Sequence, residues 1–250
     1  MLQIGRGNHM SDINDLLVLI MGETGTGKST SLESLKNDPG VMYLNCEAGK
    51  KLPFKHKFQD YIITDPMQIY EAFESAEDED DIHTIVVDTL TYLLDMFESL
   101  YIVGSDDGRS AWGQFAQYFK NLMQQYVANS SKNVIFLAHT YDAIDKTEKV
   151  MKTSVPVKGA LKNQGIESYF SCAIATKKMK VKDLAKYENP MLTITDKEKR
   201  LGFKYVFQTD LTEDTIHERI RGPLAMWAEN ETFIDNNIAY VIQRLNEYYA

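Results

Sequence analysis

The 250-residue sequence is short of several things, and each shortage removes a class of explanation. It has two cysteines, Cys46 and Cys172, far apart and both in apolar, strand-like runs. Buried free thiols are therefore expected, in place of a disulfide framework or a cysteine-ligated metal. No apolar run approaches the roughly 20 residues of a membrane-spanning helix. The opening "MLQIGRGNHM" lacks the apolar centre of a secretory signal, so no membrane is expected and the expected location is cytoplasmic. There is no internal repeat and no low-complexity linker. Basic charge is scarce overall: 27 Lys and Arg stand against 36 Asp and Glu, a net of -9, which on average argues against a nucleic-acid partner.

What is present suits a globular α/β domain, since 44% of the residues are hydrophobic and 25% charged. Residues 1–15 read as a leader, from a start site or a cloning extension, and 16–250 as one domain. The charge is unevenly spread. Between Lys146 and Lys204 there are 14 Lys and Arg against 6 Asp and Glu, a balance of +8 that leaves -17 for the rest. The acidic run "EDEDD" at 77–81 reads as a solvated loop.

Strands and helices alternate along the first 150 residues. "LLVLIMG" reads as a buried strand, and "KSTSLESLKN" as a helix ended by Pro39 and Gly40. Strand-like runs follow at "VMYLNC", "YIITD", "HTIVVD" and "NVIFLAH", separated by helical stretches "PMQIYEAFESA", "TLTYLLDMFESLY" and "SAWGQFAQYFKNLMQQYV". This alternation predicts a mainly parallel sheet with helices on both faces. Beyond residue 150 the pattern becomes strand-rich ("YFSCAIATKK", "FKYVFQTD", "TIHERIRG") before a last helix near "ETFIDNNIAYVIQRLNEYY", which predicts a C-terminal extension of the sheet.

Between the first strand and helix lies "GETGTGKST", with Gly22, Gly27, Lys28 and Ser29 at the fixed positions of the phosphate-binding loop G-x-x-x-x-G-K-[ST]. The stretch Gly22, Glu23, Thr24, Gly25, Thr26, Gly27, Lys28, Ser29 and Thr30 is thus expected to hold the phosphates of ATP. Its backbone N–H groups and the positive end of the following helix favour anions. Lys28 is expected to reach the β and γ phosphates and Ser29 to ligate Mg²⁺. Asp88, at the end of "HTIVVD", supplies a carboxylate at a strand's carboxyl edge, where it would meet Mg²⁺ beside Ser29 or simply cap the next helix.

"VMYLNCEAG" ends a strand in Glu47, and here a resemblance becomes specific. A strand-terminal glutamate in this place looks like the catalytic glutamate of RecA-type ATPases, which orients and deprotonates the attacking water. The strand "NVIFLAHT" resembles that family's sensor strand, with His139 at the polar position. An exposed strand-end carboxylate and a loop histidine are the plainer readings. Over residues 16 to about 222 the order of elements resembles the RecA-core ATPases of tailed bacteriophages, described as AAA or nucleotide-binding proteins. The stretches "LNCEAGKKLPFKHKF", "NLMQQYVANSSKNVIFLAHT" and "VPVKGALKNQGIESYFSC" look close to them. The resemblance implies a RecA-like P-loop NTPase fold, ATP and Mg²⁺ as cofactors, a homo-oligomeric ring or filament, a host cytoplasm, and ATP-coupled work on single-stranded DNA in recombination, annealing or replication.

The sequence after the sensor strand carries Lys146, Lys149, Lys152, Lys158 and Lys162 around Pro156, Gly159 and Gly165, the composition of a mobile basic loop. In RecA-type proteins the corresponding region lines the DNA channel, so Lys152, Lys158 and Lys162 are the candidate DNA contacts. A solvated basic face would look the same, and the loop carries no aromatic residue before Tyr169 and Phe170. In "HERIRGP", Arg219 and Arg221 alternate on one face of an expected strand and could reach a neighbour's γ-phosphate as a trans finger, or blunt an exposed edge. Trp112, Phe115, Phe119, Leu122 and Tyr126 recur at helical spacing and read as packing. Two other functions fit the phosphate loop: a nucleotide-gated regulatory or scaffold ATPase with a protein partner, and a P-loop kinase of a small molecule, for which no arginine-bearing lid is evident.

Overall fold

The computed structural model describes residues 14–145 and 148–250, so nearly all of the leader and Lys146 lie outside the described residues. Among the described residues, ten strands form two sheets. The main sheet comprises β1 (Leu17–Gly22), β2 (Val41–Asn45), β3 (Gln59–Ile62), β4 (Thr84–Asp88), β5 (Asn133–His139), β8 (Cys172–Lys180), β9 (Phe203–Gln208) and β10 (Phe233–Asp235). Their order is β10-β9-β8-β1-β5-β4-β2-β3. The six strands from β8 to β3 run parallel, and β9 and β10 add antiparallel. This is the mainly parallel α/β sheet with a strand-rich C-terminal extension that the alternating pattern predicts.

The central strands are apolar on both faces because both are covered. Leu17, Leu19 and Met21 of β1 pack with α1 (Gln68–Asp78), α2 (Leu90–Phe97) and α3 (Gly108–Asn121). Val18 and Ile20 face the other way, toward Leu32 of the helix after the phosphate loop and Val241 and Leu245 of the C-terminal helix Ile238–Tyr249. The aromatic stripe of α3 is packing, as its spacing suggests: Phe115, Phe119 and Leu122 are buried, and Trp112 and Tyr126 lie against them. Both α2 and α3 continue as π-helical turns, Glu98–Ile102 and Leu122–Val127. Cys46 and Cys172 are buried free thiols, and burial pushes the Cys172 thiol up to about 12.

Four expectations need correction. The helix after the phosphate loop is a 3₁₀ helix, Ser29–Leu35. The basic loop after β5 is folded into a hairpin of β6 (Tyr141–Asp145) and β7 (Val150–Ser154) that forms its own two-stranded sheet. "TIHERIRG" is not a strand: it begins at the end of a short 3₁₀ turn, Glu213–Thr215, and its backbone pairs with other elements through isolated bridges at Glu218 and Arg221. The last helix begins at Ile238, because "FID" is recruited as β10 beside β9.

Candidate functional site

Register brings the site together. Gly22 at the end of β1 is level with His139 at the end of β5, and on the far side of β5 Asp88 is level with Leu137 and with Asn45 of β2. Residues distant in sequence thus meet at the carboxyl edge of the sheet, where open α/β sheets place their ligands. Thr24, Gly25, Gly27, Lys28, Ser29 and Thr30 form one wall of a cleft of about 220 Å³, with Glu47, Asp88 and His139 across from them.

The loop's glycines have separate reasons. Gly25 and Gly27 adopt φ of 80° and 102°, which favours glycine. Gly22 has no room for a side chain, because a Cβ there would lie 2.2 Å from Thr176 Oγ1. Thr26 Oγ1 is 2.6 Å from the same Thr176 hydroxyl, and Asn236 Nδ2 donates to the Gly27 carbonyl at 2.8 Å. The loop is therefore clamped by β8 on one side and by the residue after β10 on the other.

Lys28 is buried and its ammonium donates to the carbonyls of Gly22 and Glu23, both at 2.9 Å. Burial lowers its pKa to about 8, opposed by the negative charge of Asp88 and Glu47. Ser29 Oγ donates to Asp88 Oδ2 at 3.0 Å, and Tyr43 Oη donates to the same oxygen at 2.7 Å. Asp88 Oδ1 is buried with no hydrogen-bond partner among the described residues. Burial raises the Asp88 pKa, and the Tyr43 and Ser29 hydroxyls hold it back. One hydroxyl and a carboxylate with a spare oxygen, beside a phosphate loop, suit a hard cation that retains several waters. The N-cap alternative for Asp88 is not observed, since Thr89 occupies that position and makes no side-chain cap.

Glu47 follows β2 and its side chain is nearly covered, with Lys50 Nζ 2.6 Å from Oε2 and His139 Nε2 3.5 Å from Oε1. The His139 ring and the Lys50 ammonium hold its carboxyl down to about 2, against the effect of burial. His139 spans the cleft, its Nδ1 3.5 Å from Thr24 Oγ1. Its backbone N–H donates to Thr91 Oγ1 at the start of α2.

The other candidate residues lie apart from this cleft. Lys152 on β7 is paired with Asp145 at 2.8 Å and Glu148 at 2.7 Å, and Lys158 is paired with Glu98. Lys162 is exposed on the short helix Leu161–Gln164. Arg219 NH1 is 3.1 Å from Glu167 Oε2, and Arg221 donates to the Ser168 carbonyl. Tyr169 and Phe170 are turned into the protein, Phe170 fully buried against Phe136.

Sequence reasoning missed Tyr43, Lys50, Thr176 and Asn236. Tyr43 carried one visible signal, a hydroxyl in an otherwise apolar strand. The others lie in unremarkable surroundings, and their roles come from contacts that only the folded chain makes.

Among the described residues no helix is long and apolar enough to cross a membrane. The chain matches no curated protein. A family model described as an AAA domain matches residues 14–201, about three quarters of the sequence and all of the cleft described above except the Asn236 clamp. With a phosphate loop, a strand-end carboxylate and a parallel sheet in the arrangement this match implies, the chain belongs to the AAA domain family of P-loop nucleotide-binding proteins.

Proposed function

We propose that the protein is a Mg²⁺-dependent ATPase that works on single-stranded DNA as a homo-oligomer. The observation that carries the ATPase reading is the convergence of Lys28, Ser29, Asp88, Glu47 and His139 on one cleft. The loop amides and Lys28 bind the phosphates, Lys28 exchanging the Gly22 and Glu23 carbonyls for phosphate oxygens. Ser29 and Asp88 would hold Mg²⁺, which supplies charge neutralisation at the β and γ phosphates. Glu47 orients the attacking water and takes its proton on a carboxylate oxygen, and His139 bridges that carboxylate to the phosphate loop. A carboxylate held low by the His139 ring and the Lys50 ammonium is a poor base at neutral pH, so both contacts must loosen for turnover.

The DNA role is supported by the resemblance to phage ATPases and by the placement of the β6–β7 hairpin, which begins two residues after His139. In the oligomer Arg219 and Arg221 serve a neighbouring site, giving up their contacts to Glu167 and Ser168. One experiment tests the whole reading: the ATPase rate with and without single-stranded DNA, in wild type and in mixtures with Arg219→Ala/Arg221→Ala protein. DNA should raise the rate and the double variant should lower it beyond dilution. A rate indifferent to DNA would leave a regulatory ATPase with a protein partner.

A further inference from the structure

The +8 segment is less of a free basic surface than its composition suggests, because several of its lysines are ion-paired. Besides Lys152 and Lys158, Lys177 is bound by Glu218, and Lys204 by Glu198 and Asp235 at 2.7 and 3.1 Å. The carboxylates come from several places along the chain, which is why counting charge within the segment overstates what is available.

Two further cations stand outside that segment, beside an aromatic wall and next to the nucleotide cleft. After Glu47 the chain runs in extended, irregular form through "GKKLPFKHK", and forms one wall of a groove of about 860 Å³. Lys51 and Lys55 line it, both exposed and neither within ion-pair distance of a carboxylate among the described residues. Asp60 is the one acid in its lining, and it lies 3.6 Å from His56 Nε2. The inner wall is aromatic: Phe54, partly exposed, stands edge-on to His56 and Phe58, and Tyr43 lies behind them. Free ammonium groups beside a supported ring are the two components of a single-strand binding groove, one tracking phosphates and the other stacking a base.

The groove also adjoins the nucleotide cleft. Tyr43, Lys50, Lys51, Leu52 and Pro53 line both. Tyr43 donates to Asp88 on one side, and Lys50 holds Glu47. A ligand in either space touches the wall of the other.

We propose that this groove binds single-stranded nucleic acid, with its phosphodiester backbone along Lys51 and Lys55 and a base on Phe54. The proposal rests on the DNA reading above and moves its site from Lys152, Lys158 and Lys162 to the segment after Glu47. Phosphates in the groove would compete with Glu47 for the Lys50 ammonium, which couples the groove to the nucleotide cleft.

The test is fluorescence anisotropy of a labelled oligothymidylate with the full chain, across a salt series, with and without a slowly hydrolysed ATP analogue. Lys51→Glu/Lys55→Glu should weaken binding at low salt at least about tenfold and reduce the log-log salt slope by about 1.4, for two phosphates at about 0.7 each on a single strand. Phe54→Leu should weaken it by about tenfold without changing the slope, because stacking is uncharged. Lys152→Ala/Lys158→Ala should change neither. Lys55→Glu and Phe54→Leu should still bind a fluorescent nucleotide; if the double variant fails to fold, Lys55→Glu alone should reduce the slope by about 0.7. Wild-type binding that the groove variants leave unchanged overturns the groove and spares the DNA reading. Absence of wild-type binding overturns both. Tighter binding of labelled poly-glutamate than of the oligonucleotide identifies an acidic protein segment and also overturns the proposal.

Discussion

The carboxyl edge of the parallel sheet and the basic segment from 146 to 204 differ in how their charges are placed. At the sheet edge each charged group is assigned by its position at a strand end, and strand register then decides what it meets: Gly22 faces His139 and Asn45 faces Asp88. In the basic segment several lysines are met by carboxylates from other elements, Lys158 by Glu98 and Lys177 by Glu218. Composition describes a surface only where the partners are local. The first region keeps its buried charges poised for a ligand, while in the second, part of the charge is taken up by carboxylates from elsewhere in the fold.

The largest expected effect sharpens the first half of that contrast. Lys28→Ala should abolish most nucleotide binding while leaving the circular dichroism spectrum unchanged, because the ammonium bonds only loop carbonyls and supports no apolar packing. A variant that hydrolyses ATP at the wild-type rate would break the reading of the cleft. Next, Glu47→Gln should lower turnover by about 10² or more while nucleotide affinity is retained, the scale of losing a general base. Equal losses of binding and turnover would make Glu47 a structural residue.

A smaller effect follows from protonation. With its pKa lowered to about 8, Lys28 is charged in the free protein below that pH and neutral above it, whereas phosphates favour the charged form. Nucleotide binding therefore takes up a proton above pH 8, and affinity should fall by up to about tenfold per pH unit there. Titrations with a fluorescent nucleotide at pH 7, 8 and 9 should show a flat stretch and then a decline; a constant affinity would disconnect Lys28 from the phosphates. Tyr43→Phe should raise the Mg²⁺ concentration for half-maximal nucleotide binding by about tenfold, as loss of an outer partner of a metal-ligating carboxylate does. An unchanged Mg²⁺ requirement would reduce Tyr43 to packing.

The smallest effect belongs to the basic segment. Lys158→Ala should leave the melting temperature almost unmoved, because an exposed pair gains little over its hydrated parts. A large drop would show the hairpin's surroundings to be more tightly organised than their exposure suggests.

How much of this was legible in the sequence follows the same division. The buried strands were readable because strands covered on both faces become continuous apolar runs, as in "LVLIM" and "TIVVD". Lys28, Ser29, Asp88 and Glu47 were readable because a motif or a strand end fixes their place. The β6–β7 hairpin was not, because its strands are largely exposed and carry no apolar alternation. Nor were the hydroxyl of Tyr43 on Asp88 and the ammonium of Lys50 on Glu47: one crosses between strands and the other depends on the turn at Ala48 and Gly49.

The Asn236 side chain on the Gly27 carbonyl changes where the nucleotide-handling part of the chain ends. The family match stops at residue 201, and every signature residue of the phosphate loop lies before it. Yet the loop is braced from position 236, after two further strands, β9 and β10. A boundary drawn at the match would leave the motif whole and remove its outer support, so the smallest unit that braces the phosphate loop in the observed way is larger than the recognisable domain. The antiparallel extension is thus a second place, outside the shared part of the fold, where the grip on nucleotide can be altered without touching the motif.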